Sequence, residues 1–402
     1  MQKIAVKQPG VGVVLTIIGL DASGIGLTLP ILPRLLSEVA HTNELGWRYG
    51  AFLSLYALMQ FLFSPVLGLW SDKIGRRPVL LSSLAGATVD YLFMALAPSL
   101  SLLFVGRAIS GLTGASQAVA SAYISDVTTE GQRARRFGQL SAFQGLGFIG
   151  GPVVGGLLGD IWLRAPFVAA AVLNGITFFV TLLFLREPAR HHLPTEQESS
   201  LNPIKPFQWA LSIPSLLPLL LIYMVFTLIG QVGGTIWVIY GADQFGWTPF
   251  SIGLSIAGFG LGHAIAQAFI AGPLAERFGE RFTLLLGVFA DAAASVVLGF
   301  ATRGWIAFSL LPLFCLGGVG FPALQSLLTR QADAHNQGRL QGVLASLLSL
   351  TSIVGPLAIS AVYFASRSRF PGLVWVAAAA MYVISLPALI NLSAKRTTAE
   401  PA

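Results

Sequence analysis

Five ionisable residues stand inside long apolar stretches of this chain: Asp21, Asp90, Arg107, His263 and Asp291. A charge near the centre of a bilayer costs at least ~2.5–3.5 kcal/mol on insertion scales. Residues of this kind therefore call for a role, either as ion pairs that lock helices together or as groups that carry charge. Arginine stays protonated and cannot relay a proton, so Arg107 suits pairing or field-setting. The pairing alternative applies equally to Asp90, whose stretch is short. Asp21, Asp291 and His263 suit proton chemistry, because burial moves carboxylates and imidazoles in general toward titration near neutral pH. Such a group takes a proton from one side and releases it on the other when access changes. A cationic solute beside an ionised carboxylate would compete with that proton, the simplest physical basis for antiport.

Uncharged polar residues recur on the same helical faces. Tyr56, Gln60 and Ser64 repeat every fourth position, as do Thr227, Gln231 and Thr235, and His263 is followed four residues later by Gln267. Residues four apart stack on one side of a helix, so these faces are candidates to line a water-filled path and touch a substrate. Hydrogen bonding between helices is the competing use of the same side chains.

The elements that hold these groups are transmembrane helices. Of 402 residues 54% are hydrophobic and only 10% charged, against about 25% charged in soluble domains. Twelve apolar runs cover residues 11–36, 47–70, 79–98, 100–125, 138–160, 165–186, 213–241, 249–275, 283–302, 304–330, 340–365 and 371–393. Each approaches or exceeds the ~20 residues that a helix needs to cross the hydrocarbon core, and none shows the alternation of barrel strands. The fold class expected is an all-α polytopic membrane protein of twelve helices in two six-helix bundles, surrounded by lipid. The first run contains Asp21 and ends in PILP, unlike a cleavable signal peptide. The formal net charge of +7 is dispersed over short loops and forms no nucleic-acid patch. Cys315 is the sole cysteine, which excludes a disulfide framework and a cysteine-based metal site.

The chain repeats itself. GLWSDKIGRRP begins at Gly68 and a weaker echo, GPLAERFGER, begins at Gly272. A constant offset of 204 superposes Gly68, Asp72, Gly75 and Arg77 on Gly272, Glu276, Gly279 and Arg281, and carries Gly114 to Gly318 and Gly151-Pro152 to Gly355-Pro356. Internal repeats of this kind mark parallel-repeat transporter folds. The domains expected are an N-terminal bundle over 1–186, a polar linker over 187–212 and a C-terminal bundle over 213–402. With both termini cytoplasmic, seventeen Lys and Arg fall in inner segments and six in outer loops, with Arg107 within the membrane. The positive-inside rule thus places both ends in the cytoplasm. In the fifth run Gly147, Gly151 and Gly155 form a ridge at four-residue spacing. Small residues so spaced let helix backbones touch, and Pro152 removes a backbone hydrogen bond and bends the helix.

These motifs together resemble the major facilitator superfamily, whose hallmark loop is G-x-x-x-D-x-x-G-R-[RK]. GFIGGPVVGG is similar to its motif of proton-coupled exporters, FVGRAISGLTGA to its fourth-helix motif and LDASGIGLTLPILP to its first-helix motif in twelve-helix drug exporters. With ATVDYLFMALAP, FGLGHAIAQAF and LLLGVFADAAA, the chain looks like the bacterial tetracycline efflux proteins. The resemblance implies export of a tetracycline chelated to Mg2+ or a similar divalent ion, in exchange for a proton, from a bacterial inner membrane. The proton gradient supplies the energy and the metal travels as part of the cargo. It implies proton coupling at Asp21, Asp90, Arg107, His263 and Asp291. Substrate contact would fall to Asp21, Tyr56, Gln60, Gln231, His263 and Gln267, and gating to Gly68, Ser71, Asp72, Gly75, Arg76 and Arg77. The echo at Gly272 has Glu276 but not the double arginine, so its gating role stays open.

Within that scheme Asp291 is the main proton carrier with His263 beside it, while Asp72 and Arg76, one helical turn apart, latch the cytoplasmic side. Another drug exporter on the same scaffold, for phenicols, quinolones or lipophilic cations, is the nearer alternative, and a solute:proton symporter a further one. No nucleotide-binding loop, metalloprotease motif or catalytic domain points to an enzyme, and no obligate protein partner is evident.

Overall fold

The computed structural model describes residues 10–188, 204–213, 216–333 and 336–394, and of 204–207 and 384–394 the helix only. Both termini and most of the expected linker, residues 189–203, lie outside the described residues. Among the described residues there is no strand. The helices are α1 Val11–Thr28, α2 Leu32–Ala40, α3 Trp47–Ile74, α4 Arg76–Leu96, α5 Leu100–Thr113, α6 Ser116–Val127, α7 Glu130–Ile161, α8 Ala165–Phe184 and α9 Ile204–Leu211. They continue with α10 Leu216–Phe245, α11 Pro249–Ile265, α12 Gly272–Phe278, α13 Glu280–Gly299, α14 Gly304–Gly317, α15 Gly320–Thr329, α16 Gln337–Ser366 and α17 Leu373–Ala394, with a π-turn at Ala266–Ala271 between α11 and α12.

Ten of the helical stretches described are long and apolar enough to cross a membrane. The other two apolar runs are α17 and the run over 100–125, which breaks at Gly114 into α5 and α6. The chain is an all-α, multi-pass membrane protein. Outward-facing side chains such as Leu96, Phe179, Leu183, Phe269 and Phe289 are exposed, as a lipid-facing surface requires.

The chain falls into two compact units. The first comprises Met1–Leu45, Leu55–Thr195 and Trp247–Gly260, the second Gly46–Ser54, Glu196–Gly246 and Leu261–Ala402. Helix α3 thus starts in the second unit and α11 in the first.

In the first unit α1 packs on α7 and α8, and α4 on α5 and α8. The α1–α7 seam is made by small residues. A Cβ on Gly147 would overlap the Gly19 oxygen, one on Gly151 would come 2.7 Å from the Ser23 oxygen, and one on Gly155 would overlap the Leu27 oxygen. Pro152 lies inside α7, which remains a single helix of 32 residues. A Cβ on Gly253, early in α11, would overlap the Pro152 oxygen. In the second unit α10 packs on α16 and α17, and α13 on α14, α15 and α17. There the start of α3 seats on α16: the Ser360 hydroxyl donates to the Gly46 oxygen at 2.7 Å and accepts from the Gly50 amide at 3.2 Å.

Candidate functional site

Asp21 sits in the middle of α1, partly buried, with the Ser116 hydroxyl beside it. Ser116 is the first residue of α6, directly after the break at Gly114 and Ala115. The break frees the Gly114 oxygen from a helical partner, and Gln60 Nε2 of α3 donates to it at 3.0 Å. Gln60 also approaches the Tyr56 hydroxyl at 3.4 Å. Midway along α5, the Arg107 guanidinium lies 5.6 Å from the centre of the Tyr56 ring, a cation–π arrangement worth ~0.5–2 kcal/mol depending on desolvation. Arg107 Nη1 is 3.4 Å from Asp90 Oδ2, and the Ser110 hydroxyl lies beside the same carboxylate. Asp90 is 1% exposed. Asp21, Tyr56, Gln60, Asp90 and Arg107 therefore share the interior of the first unit, with Arg107 and Asp90 as an ion pair.

The second unit holds the remaining groups. Asp291 of α13 is partly buried and accepts a hydrogen bond from the Tyr382 hydroxyl of α17. His263 of α11 approaches Gln267 at 3.4 Å through Nε2, and Gln267 Nε2 donates to the Gly318 oxygen at 3.0 Å. Gly317 ends α14, and Gly318 opens the break that separates it from α15. A Cβ on Gly317 would come 2.7 Å from Asp291 Cβ, and one on Gly318 would overlap the His263 ring. Two bare glycines thus let Asp291 and His263 close on adjacent residues of one backbone segment. Gln231 Nε2 donates to the Ser352 hydroxyl at 3.1 Å, fixing α10 to α16.

The two units solve the same problem alike. Gly114 and Gly318 are related by the repeat offset, each interrupts a helix, and each exposes a carbonyl that a glutamine from a neighbouring helix satisfies. The glutamines themselves are not at that offset, since Gln60 maps to Ala264.

At the charged loop after α3, Arg76 is the hub. Its Nη1 lies 2.5 Å from Asp72 Oδ1 and donates to the Ser71 hydroxyl at 2.6 Å, while its Nε lies 2.8 Å from Asp126 Oδ2. Ser71 in turn donates to the Gly68 oxygen at 2.8 Å. Gly75 holds φ at +114°, a conformation that glycine tolerates without penalty. The Glu187 carboxylate accepts from the Arg76 and Arg77 amides at 2.6 and 2.9 Å, capping α4. Arg77 Nη2 donates to the Leu182 oxygen.

Several of these partners escaped the sequence reading. Ser110, Ser116 and Tyr382 contact the three carboxylates, but a lone hydroxyl in an apolar run carries no signal of its partner. Asp126 and Glu187 were legible only as loop charges. Their approach to Arg76 spans 50 and 111 positions.

Comparison with known proteins agrees with this architecture. The family model of the major facilitator superfamily matches residues 13–242 and 219–401. The chain is 49% identical over 386 residues to the class C tetracycline resistance protein of Escherichia coli, covering 96% of this chain and 98% of that one. It is 42% identical over 372 residues to the class B protein of Escherichia coli, covering 92% and 93%. To the quinolone resistance protein NorA of Staphylococcus aureus it is 25% identical, covering 85% and 86%. Among solved structures, the nucleoside transporter NupG superposes with a TM-score of 0.81 at 13% identity, covering 95% of this chain and 99% of that one. A bacterial homologue of the human lysosomal transporter Spinster does so with a TM-score of 0.76 at 16% identity, covering 98% of both. A match that runs through both repeats, with identity near one half to relatives of the same length, places the chain in the major facilitator superfamily.

Proposed function

We propose that this protein exports a tetracycline, carried as its divalent-metal chelate, in exchange for a proton by alternating access. It is a transporter and not an enzyme. The identity to the tetracycline resistance proteins supports the substrate class. The observation that carries the coupling is the pair of partly buried carboxylates, Asp21 and Asp291, one in each unit, with the Ser116 hydroxyl beside the first and the Tyr382 hydroxyl beside the second. A carboxylate has about four acceptor sites, so a neighbouring hydroxyl does not by itself exhaust its capacity for a proton or a cationic cargo.

In this reading Asp291 carries the proton and His263 shares its backbone strip, so that protonation of one is felt by the other. Asp21 and the Gln60–Tyr56 face contact the cargo in the first unit, and Gln231, His263 and Gln267 do so in the second. The Asp90–Arg107 pair sets the field around Asp21 and neutralises its own charge. Gly68, Ser71, Asp72, Gly75, Arg76 and Arg77 gate access at the side that the distribution of Lys and Arg assigns to the cytoplasm. The domain division at 187–212, the inner membrane as location and both termini in the cytoplasm belong to the same proposal.

The test is drug uptake into inverted vesicles under an imposed pH gradient, with tetracycline, a phenicol and a quinolone run side by side, with and without divalent metal. Metal-dependent uptake of tetracycline that disappears in Asp291→Asn is expected. Metal-independent uptake, or uptake of the quinolone alone, would reject the chelate. Wild-type uptake by Asp291→Asn would remove that residue from the proton path.

A further inference from the structure

Residues 76 and 280 occupy the same place in the two repeats and carry opposite charges. Each follows a glycine at positive φ, Gly75 at +114° and Gly279 at +84°, and each opens a helix, α4 or α13. Each also pairs with a residue fifty positions on. Arg76 Nε lies 2.8 Å from Asp126 Oδ2, and Glu280 Oε1 lies 2.7 Å from Arg330 Nη2. Asp126 and Arg330 are themselves related by the offset of 204. Both members of the bridge have changed sign together, so the contact is kept while its polarity is inverted. Ser326 adds a hydrogen bond to the same Glu280 oxygen.

Polarity matters because a helix favours anions at its N-terminus and cations at its C-terminus. In the second unit both charges agree with that rule: Glu280 opens α13, and Arg330 directly follows α15. In the first unit both oppose it: Arg76 opens α4, and Asp126 lies in the last turn of α6. The opposition is offset from outside, by the Glu187 carboxylate on the Arg76 and Arg77 amides and by Asp72 on the guanidinium. The side chain of Glu280 is 15% exposed against 58% for Arg330, and that of Arg76 16% against 38% for Asp126, so in both bridges the residue that opens the helix is the sheltered member, and only in the second unit is that member the anion.

We propose that Glu280, Ser326 and Arg330 form the second unit's positioning latch, a polarity-reversed counterpart of the Arg76–Asp126 bridge and the tighter of the two. It fixes the start of α13 to the end of α15 through the transport cycle. The Arg76 bridge, opposed by both helix dipoles and dependent on Glu187, is the one that opens. The proposal rests on alternating access as read above, but its test needs no drug.

The test is amide hydrogen exchange of the full chain in lipid nanodiscs without substrate, read at the second turns of α4 and α13. In the wild type the α13 amides exchange at least about tenfold more slowly than those of α4, which corresponds to ~1.4 kcal/mol. Glu280→Arg and Arg330→Glu each speed α13 exchange by that factor, and the double reversal brings it back to within about threefold, since the new cation at the helix N-terminus is disfavoured. Where a reversal does not fold, Glu280→Gln and Arg330→Gln are read by the same criterion. The triple variant Arg76→Glu/Asp126→Arg/Glu187→Gln slows exchange in α4. Equal exchange of α4 and α13 in the wild type, no effect of the single variants, or a double reversal as fast as the singles would each overturn the proposal. Absence of tetracycline uptake by the wild type would instead sink the transport reading and leave the exchange pattern standing.

Discussion

Asp291 and His263, on different helices, close on adjacent residues where α14 ends: Asp291 against Gly317, His263 against Gly318. The contact depends on two positions without side chains. Gly317→Ala meets the Asp291 Cβ and Gly318→Ala meets the imidazole, and neither obstacle is the loose end of a flexible chain. Overpacking of this sort costs ~1–3 kcal/mol. Both variants are expected to lower proton-driven uptake more than they lower protein level, with Gly318→Ala disturbing drug affinity through His263. Uptake and immunoblot intensity from the same vesicles decide it, and full activity in both variants would detach the break from the site.

The Asp90–Arg107 pair gives a stability prediction. Removing one partner of a buried ion pair costs ~3–5 kcal/mol, whereas neutralising both is often mild. Asp90→Asn should therefore lower the unfolding temperature in detergent more than the double variant Asp90→Asn/Arg107→Gln does. A double variant as unstable as the sum of the two single ones would mean that the pair does not couple.

Glycines on α7 should respond with opposite signs. A Cβ on Gly155 would overlap the Leu27 oxygen of α1, while one on Gly150 meets nothing within 4 Å. Gly155→Ala should destabilise the protein. Gly150→Ala should be neutral or stabilising by ~0.5–1 kcal/mol, because alanine is the better helix former. Thermal unfolding of the two variants, measured side by side, checks the contrast.

The driving force can be separated into its parts. A membrane potential supplies ~2.3 kcal/mol per elementary charge per 100 mV, and each unit of pH gradient ~1.36 kcal/mol per proton. Exchange of a monovalent chelate for one proton moves no net charge. Collapsing the potential while holding the pH gradient should leave tetracycline uptake into inverted vesicles unchanged. A fall in uptake under that treatment would require a different stoichiometry.

Much of the fold can be read along the chain because membrane burial is a property of contiguous residues. The apolar runs and the repeat at Gly68 and Gly272 each show within a short window, and the helices found follow them closely. The breaks at Gly114 and Gly318 were visible only as aligned glycines, since nothing local distinguishes a helix break from a packing glycine. The degenerate second loop is the instructive case. Read alone, Glu280 in place of an arginine looks like loss of a motif, and only its contact with Arg330 shows that the bridge has inverted.

Residue order therefore sufficed to place Asp21, Asp90, Arg107, His263 and Asp291 within apolar helices, because the cost of burying a charge among apolar neighbours is set by the run that contains it. Tertiary packing alone selected their partners: Ser116 for Asp21, Arg107 for Asp90, Tyr382 for Asp291, and a shared glycine strip for Asp291 and His263. Those contacts act over a few ångströms between segments far apart in the chain, and helix breaks and side-chain-free positions determine which groups come within that range.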